Sequence, residues 1–190
     1  MRKGLLFLLL MAGSANLLLA QGKFFSRDGQ IFFDATSNRS LEVIEATNRT
    51  ASSVIDMATG QMEFAVLIKA FRFERALMEE HFNENYLESD KFPKAVFKGK
   101  LADLKAVNLS KDGAYPVKVS GEMTMHGVTK PVNAEGTLTI KGGQVANGKS
   151  SFSLTLADYG VKVPSLVSDK VAKVVKVDIN VNYQPLPASK

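Results

Sequence analysis

Apolar and polar positions alternate along most of this chain, and the alternation breaks once, near the middle. Between Gln61 and Phe71, Met62, Phe64, Val66, Ile68 and Ala70 fall on one side, with Gln61, Glu63, Ala65, Leu67 and Lys69 on the other. That two-residue period predicts a strand with one buried face. From Glu74 the spacing changes: Leu77, Met78, His81, Phe82 and Tyr86 recur at three- and four-residue steps, as on one face of a helix. Pro93 stops the helix, and Ala95, Phe97 and Leu101 alternate again as a strand. No other stretch has a strong helical pattern.

The remaining segments read as β. Phe24–Gly29 predicts a short strand and a turn, and Ile31, Phe33 and Ala35 predict a further strand. Leu41–Ala46 and Ser53–Met57 are weaker candidates, separated by the turn-like Thr47–Thr50 and followed by a turn at Ala58–Gly60. Val117, Val119, Gly121, Met123 and Met125 share one face of a long run, and Val132, Ala134, Gly136, Leu138 and Ile140 share one face of the next. His126-Gly127 between them predicts a hairpin, and Gly142-Gly143 a second turn. Phe152, Leu154 and Leu156 form another face, then the looser Asp158–Ser165, then a last strand with Val175, Val177, Ile179, Val181 and Tyr183 inward. About eight antiparallel strands result, with no βαβ spacing. Strands this long must hide their edges, and closure into a barrel does so. The helix is best placed over the open end.

Composition changes the picture in three ways. Met1-Arg2-Lys3, the apolar Leu5–Met11 and the small residues up to Ala20 predict a signal peptide over residues 1–20, ahead of one domain over 21–190. Cleavage after Ala15 and retention as an anchor are the alternatives, and a cleaved signal places the protein in the periplasm or outside the cell. The absence of cysteine removes disulfide staples, thiol anchors and redox chemistry. Loss of Arg2 and Lys3 would take two from the formal charge of +5, and the remaining excess is scattered. Lys170, Lys173 and Lys176 are spaced by apolar residues, as on a solvated strand edge rather than a phosphate track. No nucleic-acid surface is expected.

Chemistry is sparse. His81 and His126 are the two histidines, and with Glu79, Glu80 or Asp158 they would make a metal or acid–base site only if folding converged them. Glu79, Glu80, Glu84 and Glu88 read as a solvated helix face. There is no Gly-x-Ser-x-Gly and no glycine-rich phosphate loop ahead of a helix, so an enzyme is not expected. Asn38, Asn48 and Asn108 match the glycan acceptor pattern by chance, in turn-like sequence. The inward faces mix small Gly99, Gly121, Gly136, Ala95 and Ala134 with flexible Met62, Met123 and Met125, which suits either a cavity or curvature and gap-filling.

Gly121-Glu-Met-Thr-Met-His-Gly-Val-Thr-Lys-Pro-Val132, Glu88-Ser-Asp-Lys-Phe-Pro-Lys-Ala-Val-Phe-Lys-Gly99 and Asp158-Tyr-Gly160 resemble the signature elements of the YceI-like family, periplasmic and lipocalin-like. The resemblance covers nearly all of Phe24–Tyr183. It implies an eight-stranded antiparallel lipocalin-like barrel, with its one short helix near the mouth, holding a polyisoprenoid chain in an apolar tunnel. The departure is at the helix, where Leu77-Met-Glu-Glu-His-Phe82 stands in place of an Arg-Asp-x-His-Leu run. Expected tunnel residues are Phe64, Val66, Ile68, Phe97, Met123, Leu138, Phe152, Leu154, Val177 and Ile179, with Phe82 and Tyr86 at the mouth. No cofactor is expected beyond a bound isoprenoid lipid. The other readings are a packed barrel that acts as an envelope interaction module and a His-dependent enzyme. A transient membrane contact fits lipid carriage.

Overall fold

A computed structural model describes residues 22–187; the expected signal peptide lies outside the described residues. Ten strands and a short helix follow one another: β1 Lys23–Thr36, β2 Glu45–Asp56, β3 Gln61–Leu67, β4 Arg72–Phe73, α1 Ala76–His81, β5 Lys94–Leu101, β6 Gly113–Met125, β7 Val128–Lys141, β8 Gln144–Thr155, β9 Val171–Asn182 and β10 Gln184–Pro185. The order β1-β9-β8-β7-β6-β5-β3-β2, with β2 pairing back onto β1, closes an antiparallel barrel of eight strands. The dipeptide strands β4 and β10 are appended to β2 and β1. Closure leaves the long strands no free sheet edge.

Local sequence sets the tight hairpins. His126 and Gly127 both have positive φ (52° and 75°), as do Gly142 and Gly143 (59° and 77°). Two consecutive left-handed residues make the turn whose twist matches the flanking strands. Gly127 is further constrained, because a Cβ there would lie 2.6 Å from the Phe92 ring.

Two expected turns are absent. β1 runs unbroken through Asp28-Gly29, with its register against β2 shifting on either side of Gly29. β2 runs unbroken from Glu45 through Thr47–Thr50 to Asp56, whereas Leu41–Ile44 of the first weaker candidate is connection and not strand. Turn-like composition loses here to tertiary pairing: Gly29 pairs with Ala51 and Ile31 with Asn48 across the bulge, and Ala51 is fully buried. Asn48, also fully buried, is not in a turn; its side-chain amide donates to the Leu67 carbonyl at 3.1 Å and accepts from Thr50 N–H at 2.8 Å. No glycan could reach it. Lys173 and Lys176 project outward from β9, which is paired on both sides and is no edge.

The two barrel ends differ. At one, marked by the Lys23–Asp56 and Gly113–Ile140 pairs, Ile55, Leu101, Ile140, Val145 and Val181 pack with Val107 from the 102–112 connection into a solid core. At the other, marked by Asp34–Glu45, Met125–Val128 and Thr155–Val174, lie the helix and the 37–44 and 156–170 connections. One end is sealed.

The Tyr183 hydroxyl sits near that seal, 2.8 Å from Ser53 Oγ, both buried. Burial pushes the Tyr183 phenol above its ordinary 10.0, with the Ser53 hydrogen bond opposing in part. The unfolded chain therefore loses this proton first, and stability falls as pH rises through ~10 toward the higher folded value. Tyr183→Phe should cost about 1–2 kcal/mol near neutrality by orphaning Ser53. The same variant should lose less than the parent between neutral pH and the alkaline range. Urea melts across pH check both signs.

Candidate functional site

Above the sealed end the barrel is hollow. A cavity of about 490 Å³ opens toward the helix end, within the ~300–1,000 Å³ of small-molecule pockets. The ten residues expected in the tunnel all line it, as do Phe82 and Tyr86. Phe64, Phe97 and Met123 lie in one cross-strand row and Phe152, Val177 and Phe33 in another. At its lower limit the lining includes Ile55, Leu101, Leu138, Val181 and Tyr183, which belong to the core that closes that end. Sequence reasoning did not single out Phe33, Phe71 or Phe73, which also line the cavity. The alternation at Phe71 and Phe73 is visible, but β3 stops at Leu67 and a single 3₁₀ turn, Ile68–Ala70, redirects the chain.

Glycine keeps the bore clear by an indirect route. Gly99 pairs with Gly121, and the Phe97 ring lies against both: a Cβ on Gly99 would be 2.3 Å from Phe97 Cζ, and one on Gly121 would be 2.8 Å from it. The glycines leave room not for ligand but for a phenyl ring laid flat on the wall.

At the mouth, Phe82 ties the helix to the barrel. Its ring stacks on Phe33 (5.5 Å, 23°), meets Phe71 edge-on at 5.5 Å and tilts against Phe73 at 5.0 Å. α1 ends at His81 and the chain continues as a π-helical turn, Phe82–Tyr86, which carries Tyr86 to the cavity as well. Arg72 donates to Glu79 at 2.7 Å, fixing the first turn. Glu42 joins three connections by accepting from Arg75 and by an ion pair with Lys170 (3.6 Å), and all three residues border the opening. No sequence pattern signals this group, because each member sits in a separate polar segment. Phe82→Ala should cost about 3 kcal/mol. It should also release the helix first, so amides of residues 76–86 would lose hydrogen-exchange protection while the strands keep theirs.

The histidines do not converge on a catalytic or metal-binding group. His81 is an exposed residue at the mouth. His126 Nδ1 lies 3.0 Å from the Tyr159 carbonyl and Nε2 3.2 Å from Glu88 Oε2, with the Phe92 ring edge-on at 4.8 Å. Glu88 itself has φ 42°, and the helix exit is held in that left-handed turn beside the hairpin. Both nitrogens are thus spent in joining the three signature elements to one another. Among the described residues no three His or carboxylate groups cluster to hold a metal ion, and none of the helices is long and apolar enough to cross a membrane.

A closed antiparallel barrel with a blind apolar bore, capped by one helix, defines a lipocalin-like binding barrel. The chain belongs to the YceI-like family, whose domain model matches residues 19–183. A UPF0312 protein of Pseudomonas putida F1 is 30% identical over 99 residues, 50% of this chain and 48% of the relative. One of Pseudomonas fluorescens Pf-5 is 29% identical over 145 residues, 73% of this chain and 63% of the relative. The chain thus spans about half the length of the first of these relatives. Among solved structures, a polyisoprenoid binding domain from Saccharophagus degradans superposes with TM-score 0.72 at 14% identity, over 87% of this chain and 99% of that one. Burkholderia cenocepacia BcnA does so with TM-score 0.64 at 15% identity, over 80% and 94%. These likenesses establish the fold.

Proposed function

We propose that the protein is exported and holds a polyisoprenoid-type lipid in its bore, for carriage or sequestration. One observation carries the reading: the inward faces of the strands enclose a cavity, apolar along its walls and closed at one end by a packed core. Each methylene moved from water into such a bore contributes ~0.8 kcal/mol, so a few isoprene units supply affinity without a charged clamp. The Saccharophagus degradans neighbour, described as a polyisoprenoid binding domain, supports the choice of ligand, and the first twenty residues support export. Val66, Ile68, Phe97, Met123, Phe152 and Val177 form the wall against the hydrocarbon, and Phe82 and Tyr86 border its exit. A solid interaction module is disfavoured because a cavity, not packed side chains, lies at the centre of the barrel.

Thermal melting with added prenols tests it. A ligand at 100 times its Kd stabilises by ~2.7 kcal/mol, about 5–10 °C for a domain of this size. An unchanged melting temperature across prenols of increasing length would refute the reading.

A further inference from the structure

We infer that the rim around the cavity mouth docks on an anionic lipid bilayer. Exposed large apolar side chains are distributed unevenly over this molecule. Among the described residues Leu41, Val43, Val54, Leu67, Leu77, Leu166 and Val174 are such. Six of these seven lie at the mouth end, and Val54, which pairs with Phe25 and Glu63, is the exception. Leu41 is fully exposed and Leu166 is 93% exposed. Single exposed leucines are ordinary, but a concentration at one end of a barrel marks an interaction surface.

The rim is one surface and not a set of loose loops. Leu41 and Val43 come from the 37–44 connection, Leu166 from the 3₁₀ turn Ser165–Val167, and Leu77 from α1. Arg39 reaches Asp169 at 3.8 Å, while Glu42 takes both Arg75 and Lys170, so the three segments are cross-linked. Leu77 both lines the cavity and faces outward, making the rim continuous with the bore.

Charge names the partner. The 37–44 and 156–174 stretches hold Arg39, Lys162, Lys170 and Lys173 against Glu42, Asp158 and Asp169, and with Arg39 paired to Asp169 and Lys170 to Glu42 the exposed Lys162 and Lys173 are the cations that flank Leu166 and Val174. Leucines that insert into the headgroup boundary, flanked by lysine and arginine, are the pattern of a peripheral contact with acidic phospholipid. The acidic residues Glu79, Glu80 and Glu84 on the helical segment favour a tilted pose, with the two loops toward the bilayer. In that pose a hydrocarbon leaving the bore passes from protein to membrane without crossing water.

The test is flotation with vesicles. Every strand among the described residues lies between Lys23 and Pro185, so a chain that begins at Gln21 keeps the whole barrel and removes the apolar N-terminal stretch from the comparison. It should float with phosphatidylcholine vesicles containing phosphatidylglycerol, and less with pure phosphatidylcholine or in high salt. Leu41→Ser with Leu166→Ser should weaken partitioning about tenfold or more, while Val54→Ser, at the sealed end, should not. All three positions are exposed, and circular dichroism checks the fold. Equal flotation of the double variant, or none by the parent, overturns the inference. So does a dimer in sedimentation that the double variant abolishes while vesicles are ignored. Prenol binding is measured separately, so loss of the cargo reading and loss of the docking surface remain distinguishable.

Discussion

Ala134→Phe is expected to empty the barrel of ligand while leaving it folded. Ala134 lines the cavity from β7, opposite Val119 of β6, at a height where the bore is open. A benzene molecule fills a cavity of roughly 150 Å³, so one phenyl ring would take about a third of the 490 Å³ present. If it displaces about five methylenes of cargo at ~0.8 kcal/mol each, the loss is ~4 kcal/mol, several hundredfold in Kd. The ring replaces empty space rather than packed atoms, so stability should change by no more than ~1 kcal/mol. Titration with a fluorescent prenyl analogue reads the first quantity and a urea melt the second. Unaltered affinity in a folded Ala134→Phe protein would place the ligand elsewhere.

Gly121→Ala should have the opposite profile, a large stability loss from a single methyl. The added Cβ would lie 2.3 Å from the Lys98 carbonyl oxygen, 2.4 Å from Gly99 Cα and 2.8 Å from Phe97 Cζ. Backbone cannot give way as a flexible side chain can. The clash must push β5 from β6 or lift the Phe97 ring into the bore, at about 3 kcal/mol. For a domain of this size that is a fall of about 6–12 °C in Tm. Gly142→Ala is the matched control. Nothing lies within 4 Å of its Cβ, and only its φ of 59° opposes the change, so the loss should be nearer ~1 kcal/mol. Calorimetry on the two variants separates crowding from backbone strain.

The parts legible in the sequence are those governed by period. Long alternating runs such as 117–125 and 132–140 decide which side chains face inward, and inward residues in a closed barrel line whatever lies inside. Phe64 and Val66 of β3 and Val177 of β9 can therefore be assigned to the wall without a fold in hand. The switch to helical spacing after Glu74 likewise puts Phe82 and Tyr86 at the mouth. What cannot be read depends on partners remote in sequence. Thr47–Thr50 has the composition of a turn, yet pairing of Thr47 with Phe32 and Arg72 and of Asn48 with Ile31 keeps it within a strand. Glu42, Arg75 and Lys170 carry no mutual signal, because closure of the barrel alone brings their segments together. The glycines at 99 and 121 suggest free space, whereas the space is taken by Phe97, whose ring position depends on the pairing of β5 with β6.

Carriage or sequestration of a lipid requires that the bore bind it. Organic extraction of freshly purified protein, followed by mass spectrometry, tests it most directly. The expected result is a long apolar molecule of isoprenoid composition recovered in near-stoichiometric amount from the parent and absent from Ala134→Phe. Recovery of no hydrophobic molecule from the parent, together with no uptake of added prenol, would contradict it.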